Sequence, residues 1–182
     1  QDNGLAFLPP DINAGDVRFR PVDRKTIRYG LGAIKGTGES ALSVILAARA
    51  ADGPFKDLFA FCRRVDKRVV NRRVIEALIR AGAFDTLDAN RARLAASVAN
   101  ALDAAEQAER NALQAGLFDL GGGEDCPTCH YVETPPWTER EQLMQEKQAL
   151  GFFLSGHPYH AYAKEIGAFV KRRLGQIEPS RD

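Results

Sequence analysis

Ile27-Arg28-Tyr29-Gly30-Leu31-Gly32-Ala33-Ile34-Lys35-Gly36-Thr37-Gly38-Glu39-Ser40-Ala41-Leu42 is the stretch on which the reading of this chain turns. From Ile27 to Arg49 the apolar positions Leu31, Ile34, Leu42, Ile45 and Leu46 are interrupted once, by Lys35-Gly36-Thr37-Gly38. The spacing predicts two short helices joined by a glycine hairpin, the second starting at Glu39. Glycine at 36 and 38 gives the backbone access to positive φ without a Cβ clash, as a very tight turn requires. Amides of the hairpin and of the next helix's first turn lack intrahelical partners, so they can converge on one phosphate oxygen, with Lys35 adding charge. Such contact reads phosphate and no base, so the expected binding is sequence-independent and salt-sensitive. A Gly-x-Gly turn between helices is also a common purely structural device.

Downstream, Asp52-Gly53-Pro54 breaks the chain, and a short helix is expected near Lys56 to Arg64. A stronger one runs from Asn71, an N-cap, through Val74, Ile75, Leu78 and Ile79 to Ala81, with Gly82 as its stop. Ala81-Gly82-Ala83-Phe84 is a second glycine turn lacking a second glycine, and it reads as a structural partner of the first. Arg72, Arg73 and Arg80 on the helix before it can meet phosphates or face solvent. An alanine-rich helix follows from about Asn90 into the 110s, because Leu94, Val98, Leu102 and Ala105 recur at helical spacing. Thr138 and Glu141 form a capping-box pattern opening a helix that ends before Gly156-His157-Pro158, and a last helix is expected from Ala161 to Val170. Leu8 to Arg20 reads as an extended or irregular lead-in, and no run alternates as a strand would. The chain reads as mostly α.

The chain has 182 residues, is 45% hydrophobic and 27% charged, and carries a formal net charge of +1, so it is long enough for a core and too apolar to be wholly disordered. No apolar run reaches the roughly 18 residues of a membrane helix, and the expectation is a soluble cytoplasmic protein with no membrane partner. Gln1 at the start and Met144 as the single methionine suggest a piece of a longer chain. The small net charge conceals a division. Residues 18–80 hold 15 Lys+Arg against 6 Asp+Glu, whereas residues 81–182 hold 10 against 15. A basic block followed by an acidic one suggests a polyanion partner for the first part only, or simply a solvated basic face.

Gln114-Ala115-Gly116-Leu117-Phe118 closes the alanine-rich helix just before a Gly- and acid-rich stretch. Leu117 and Phe118 are apolar anchors beside a loop, and Gln114 offers an amide to the rim of a groove; the alternative is that the pair folds onto the chain's own core. Cys126-Pro127-Thr128-Cys129-His130 matches a haem-attachment pattern and half a zinc ribbon, but no further ligands stand at paired spacing, so no metal and no cofactor is expected. Three cysteines do not make a disulfide framework.

Taken together, Leu8-Pro9-Pro10-Asp11-Ile12-Asn13, Tyr29 to Gly36, Asn71 to Ile79, Ala81 to Asp85 and Leu150 to Pro158 resemble the alpha subunit family of bacterial replicative DNA polymerase III over nearly the whole chain. Within it Ile34 to Gly38 resembles a helix-hairpin-helix core, with Thr37 where an apolar residue is usual, and Gln114-x-x-Leu117-Phe118 resembles the bacterial sliding-clamp binding motif. The resemblance implies an extended lead-in over 1–26, a tandem helix-hairpin-helix domain over 27–118, a flexible acidic linker over 119–137, and C-terminal helices over 138–182 leading to an oligonucleotide-binding fold outside this sequence. It implies double-stranded DNA as the partner of Lys35, Gly36, Thr37, Gly38, Arg72, Arg73 and Arg80, and the sliding clamp as the partner of Gln114, Leu117 and Phe118. Other polymerase III holoenzyme subunits would bind outside this sequence. Catalysis is not expected here, because nucleotidyl transfer needs closely spaced carboxylates holding Mg ions and no Asp-x-Asp is present. Two other readings stay open: a repair or junction-binding subunit of the same motif without a clamp partner, and an error-prone relative of the polymerase.

Overall fold

A computed structural model describes residues 4–118 and 129–170, with the backbone alone at 114–118, 161 and 164. Three short strands, β1 (Ala6–Leu8), β2 (Arg20–Pro21) and β3 (Thr26–Arg28), precede six helices: α1 (Glu39–Asp52), α2 (Leu58–Arg64), α3 (Arg72–Arg80), α4 (Arg91–Phe118), α5 (Glu139–Leu150) and α6 (Tyr159–Phe169). The mostly α expectation holds. The sheet was not foreseen: β3 lies between β1, parallel to it, and β2, antiparallel, with Phe7 opposite Ile27 and Arg20 opposite Arg28. Strands of two or three residues carry no readable alternation, and only the partner defines them.

The helix expected before the hairpin is a single 3-10 turn, Leu31–Ala33. The lead-in passes too close for anything longer. A Cβ on Gly30 would stand 2.6 Å from the Arg18 carbonyl carbon and one on Gly32 2.8 Å from the Val17 carbonyl oxygen, while Leu31 and Gly32 donate their amides to Asp16 and Val17. Glycine at these two positions serves close backbone approach.

The remaining helices follow their sequence signals. Asp57 caps α2 through Ala60 N, Asn71 caps α3 through the amides of Arg73 and Val74, and Thr138 with Glu141 completes the capping box of α5. Ile45, Leu58, Phe61, Ile75, Leu78, Phe84, Leu94 and Val98 form one core, which Ala149 and Leu150 of α5 enter. The alanine-rich α4 packs closely, with Ala101, Ala104 and Ala105 buried against its neighbours. The stretch after Cys129 has no helix or strand until α5, yet it is tied down. Tyr131 lies edge-on to Phe59 at 5.1 Å, Val132 N donates to Ser97 Oγ, and the Thr134 carbonyl accepts from Asn90 Nδ2.

Candidate nucleic-acid interface

The first hairpin folds around one hydroxyl, whose single proton is shared between two carbonyls. Thr37 Oγ1 donates to the carbonyls of Leu31 at 2.9 Å and Ile34 at 2.7 Å. A hydroxyl at this place thus ties the hairpin to the 3-10 turn. Of the two glycines, only Gly36 has positive φ (+89°); Gly38 is extended (φ −80°, ψ 154°) because it is the N-cap of α1. The sequence expectation of positive φ at both is corrected accordingly. Gly38 has no side chain to cap the helix, and the first intrahelical bond comes from Leu42 N, so the amides of Glu39, Ser40 and Ala41 precede it. Hypothetical Cβ atoms on Gly36 and Gly38 would meet nothing nearer than 3.8 Å, Ala77 Cβ and Ser40 Oγ respectively. This face is open to a ligand, and exposed Glu39 at its edge contributes one negative charge.

Two hairpin amides drop out of the converging set. Thr37 N donates to the Ile34 carbonyl at 3.3 Å. Lys35 N donates to the Ala149 carbonyl at 2.8 Å, at the end of α5. Its side chain is exposed and runs beside Gly151, where a Cβ would stand 3.2 Å from Nζ. The ammonium therefore lies at the negative end of the α5 dipole.

On α3, Arg72 and Arg80 both reach Glu76: Nε to Oε1 at 2.7 Å and Nη2 to Oε2 at 3.3 Å. Their charge is half spent inside the helix. Arg73 is exposed, makes no ion pair among the described residues, and stands one helical turn before Ala77, the residue nearest Gly36. Arg73 is thus the α3 cation most available at the hairpin.

The second hairpin is closed. Gly82 also has positive φ (+82°), but Gly82 N, Ala83 N and Asp85 N donate to Ile79, Leu78 and Gly82 carbonyls, and the Ala83 carbonyl accepts from Ile12 N. Arg91 covers the turn: it grips Asp85 with Nε and Nη2 at 2.7 and 2.6 Å, and reaches Glu146 Oε1 with Nη1 at 2.9 Å. Glu146 is wholly buried, and its Oε2 accepts from the amides of Leu154 and Ser155 at 3.0 Å each. Burial lowers the Arg91 pKa, but Asp85 and Glu146 outweigh it and the net direction is upward, so the guanidinium stays charged. Neither Arg91 nor Glu146 stood out in the sequence; the signal available was an Asp85–Arg91 spacing around a glycine turn.

The basic block is smaller at the surface than its sum suggests. Arg49 Nη1 donates to the carbonyls of Ile12 and Gly15, and Arg64 lies over the Phe55 ring at 4.4 Å while bonding the carbonyls of Ala48 and Gly53. Lys67 pairs with Glu109 at 2.9 Å, and Arg28 lies 3.8 Å from Asp11. These cations hold the fold together.

Gln114, Leu117 and Phe118 lie on the last turns of α4, and their side chains lie outside the described residues, as does Cys126. Cys62 is buried, and burial pushes its thiol up to about 12. No group of three or more His, Cys, Asp or Glu among the described residues could hold a metal ion, and no described helix is long and apolar enough to cross a membrane.

Residues 4–94 match the family described as the helix-hairpin-helix motif. The chain is 49% identical over 177 residues to the DNA polymerase III subunit alpha of Neisseria meningitidis serogroup B, a match covering 97% of this chain and 15% of that protein. The same-named proteins of Vibrio cholerae and Escherichia coli K12 are 46% and 44% identical, each with 16% of its length covered. The chain thus spans about one-sixth of the curated relatives it matches. With an open glycine hairpin at Gly36 and a closed one at Gly82, the chain belongs to the helix-hairpin-helix family, and its sequence corresponds to a segment of DNA polymerase III alpha subunits.

Proposed function

We propose that this chain is the part of a DNA-directed DNA polymerase that holds duplex DNA by its backbone and tethers the enzyme to the sliding clamp. The observation that carries the DNA half is the contrast between the hairpins. The first leaves the α1 amides uncapped beneath open glycines, with exposed Lys35 in the hairpin itself and exposed Arg73 one turn from Ala77 on α3, and the second is filled by Arg91. Uncapped amides at a helix N-terminus with nearby cations suit a phosphate and offer nothing to a base edge. The clamp half rests on Gln114-x-x-Leu117-Phe118 and on the relatives' name. Two weak contacts on one body reinforce each other, since holding the clamp keeps the hairpin at high local concentration over the same duplex.

The chain should bind duplex DNA irrespective of sequence with affinity falling steeply with salt, and Lys35→Ala should reduce the log–log salt slope by about 0.9. Salt-insensitive binding would refute the DNA half. Alanine at Leu117 and Phe118 together should abolish clamp pull-down and leave DNA binding intact; loss of both would mean that the pair belongs to the core. A preference for branched or nicked DNA with no clamp binding would favour the repair or junction-binding reading.

A further inference from the structure

The segment from Glu146 to Ser155 lies outside the stretch matching the family motif, yet it touches the open hairpin directly. Lys35 N donates to the Ala149 carbonyl at 2.8 Å, and the Lys35 ammonium rests beside the left-handed cap Gly151 (φ +91°). Three residues before that carbonyl, on the same helix, Glu146 is locked by Arg91 Nη1 at 2.9 Å and by the amides of Leu154 and Ser155. Phe152, in the same turn, leans on Tyr29 at 5.7 Å, immediately before the 3-10 turn. The open hairpin is therefore braced, through one backbone bond beside which the Lys35 ammonium rests, by a helix end that a buried carboxylate fixes in place.

Resting on the proposed DNA reading, we propose that Glu146 is a positioning residue for the phosphate contact: through the end of α5 it sets the direction of the Lys35 side chain. The sign of its effect sets this role apart from simple electrostatics. Neutralising an acid near a polyanion site should strengthen DNA binding, whereas releasing the brace should weaken it.

The test measures duplex DNA affinity against salt for the 182-residue chain carrying Glu146→Gln, Lys35→Ala and both, with thermal melts and amide hydrogen exchange on each. Glu146→Gln should weaken binding about tenfold, the worth of one charge-assisted hydrogen bond. It should speed exchange of the Lys35 amide while the amides of Ile75 and Leu94 stay protected, and it should add little in the Lys35→Ala background. Gly151→Asn keeps a residue that tolerates the left-handed backbone and leaves the buried network untouched, while its Cβ, 3.2 Å from the ammonium, obliges Lys35 to shift by a few tenths of an ångström. It should weaken binding about two- to threefold, less than a full charge contact is worth. Unchanged or tighter binding by Glu146→Gln, or a full additional loss in the Lys35→Ala background, overturns the proposal. If Glu146→Gln fails to fold, Gly151→Asn decides alone, and equal affinity to the parent chain overturns it. Salt-insensitive binding by the parent chain would instead remove the DNA reading on which the proposal rests.

Discussion

The same substitution at the two hairpin glycines should destabilise the chain by unequal amounts. Gly82→Ala puts a methyl where the backbone has φ +82°, with the Arg91 Cζ and Asp85 Oδ2 each 2.8 Å from the new atom. The left-handed backbone costs about 1–2 kcal/mol for an L-residue. Arg91 cannot give way cheaply, because its guanidinium is held at both sides, by Asp85 and by Glu146, and is 5% exposed. Pulling it from a buried partner costs about 3 kcal/mol or more. The loss is therefore about 4 kcal/mol, and a chain of this length should melt about 8–16 °C lower. Gly36→Ala carries the same backbone strain, but its methyl meets only Ala77 Cβ at 3.8 Å, an ordinary contact. It should cost about 1–2 kcal/mol and lower the melting temperature by only about 2–8 °C. Scanning calorimetry of both variants checks this. Equal losses at the two sites would refute the claim that Arg91 fills the second turn.

Thr37→Val keeps the shape of the hairpin and removes the hydroxyl bonded to Leu31 and Ile34, so denaturant melts should show a loss of about 1 kcal/mol. With Cys126 and Cys129 changed to serine, Cys62 should resist a disulfide reagent at pH 8 until the chain is denatured, because burial holds its pKa near 12; rapid native labelling would contradict this. The Glu141 pKa is lowered from 4.5, chiefly by the Thr138 amide and then by its hydroxyl. Glu141 thus adds stability that is fully present above 4.5 and is lost as pH falls through the lower folded value. Glu141→Gln should flatten the acid limb of the stability–pH curve, and an unchanged limb would show that the capping box does not form.

Local chemistry made much of the helical frame legible. Asn71 and the Thr138–Glu141 pair announce helix starts by side-chain capping, which depends on residues three apart at most, and both caps are present. The open hairpin was legible for the same reason, since Gly36 and Gly38 lie within one turn. What the sequence hid depends on partners distant along the chain. Leu31 and Ile34 read as the apolar face of a short helix, and what reduces it to a single 3-10 turn, the passage of Val17 to Phe19 against Gly30 and Gly32, exists only in three dimensions. β2 and β3 became strands because they found each other and β1. The brace on Lys35 joins residues more than a hundred positions apart.

Charge shows most clearly why a sum along the chain misleads. The block at 18–80 counts every cation alike, and so does the acidic remainder. Arg49 and Arg64 point at backbone carbonyls, where a guanidinium serves as a multidentate donor that closes loops, and Lys67 is fixed on Glu109. Arg49 and Arg64 would give up those carbonyls on turning to a phosphate, and Lys67 would give up its pair with Glu109. Glu146 belongs with Arg91 and adds nothing to the acidic surface. The cations that remain at the open hairpin are few, chiefly Lys35 and Arg73. A binding surface so sparingly charged should hold DNA weakly on its own, so the proposed function needs the second attachment, at the end of α4, to keep the hairpin over the duplex.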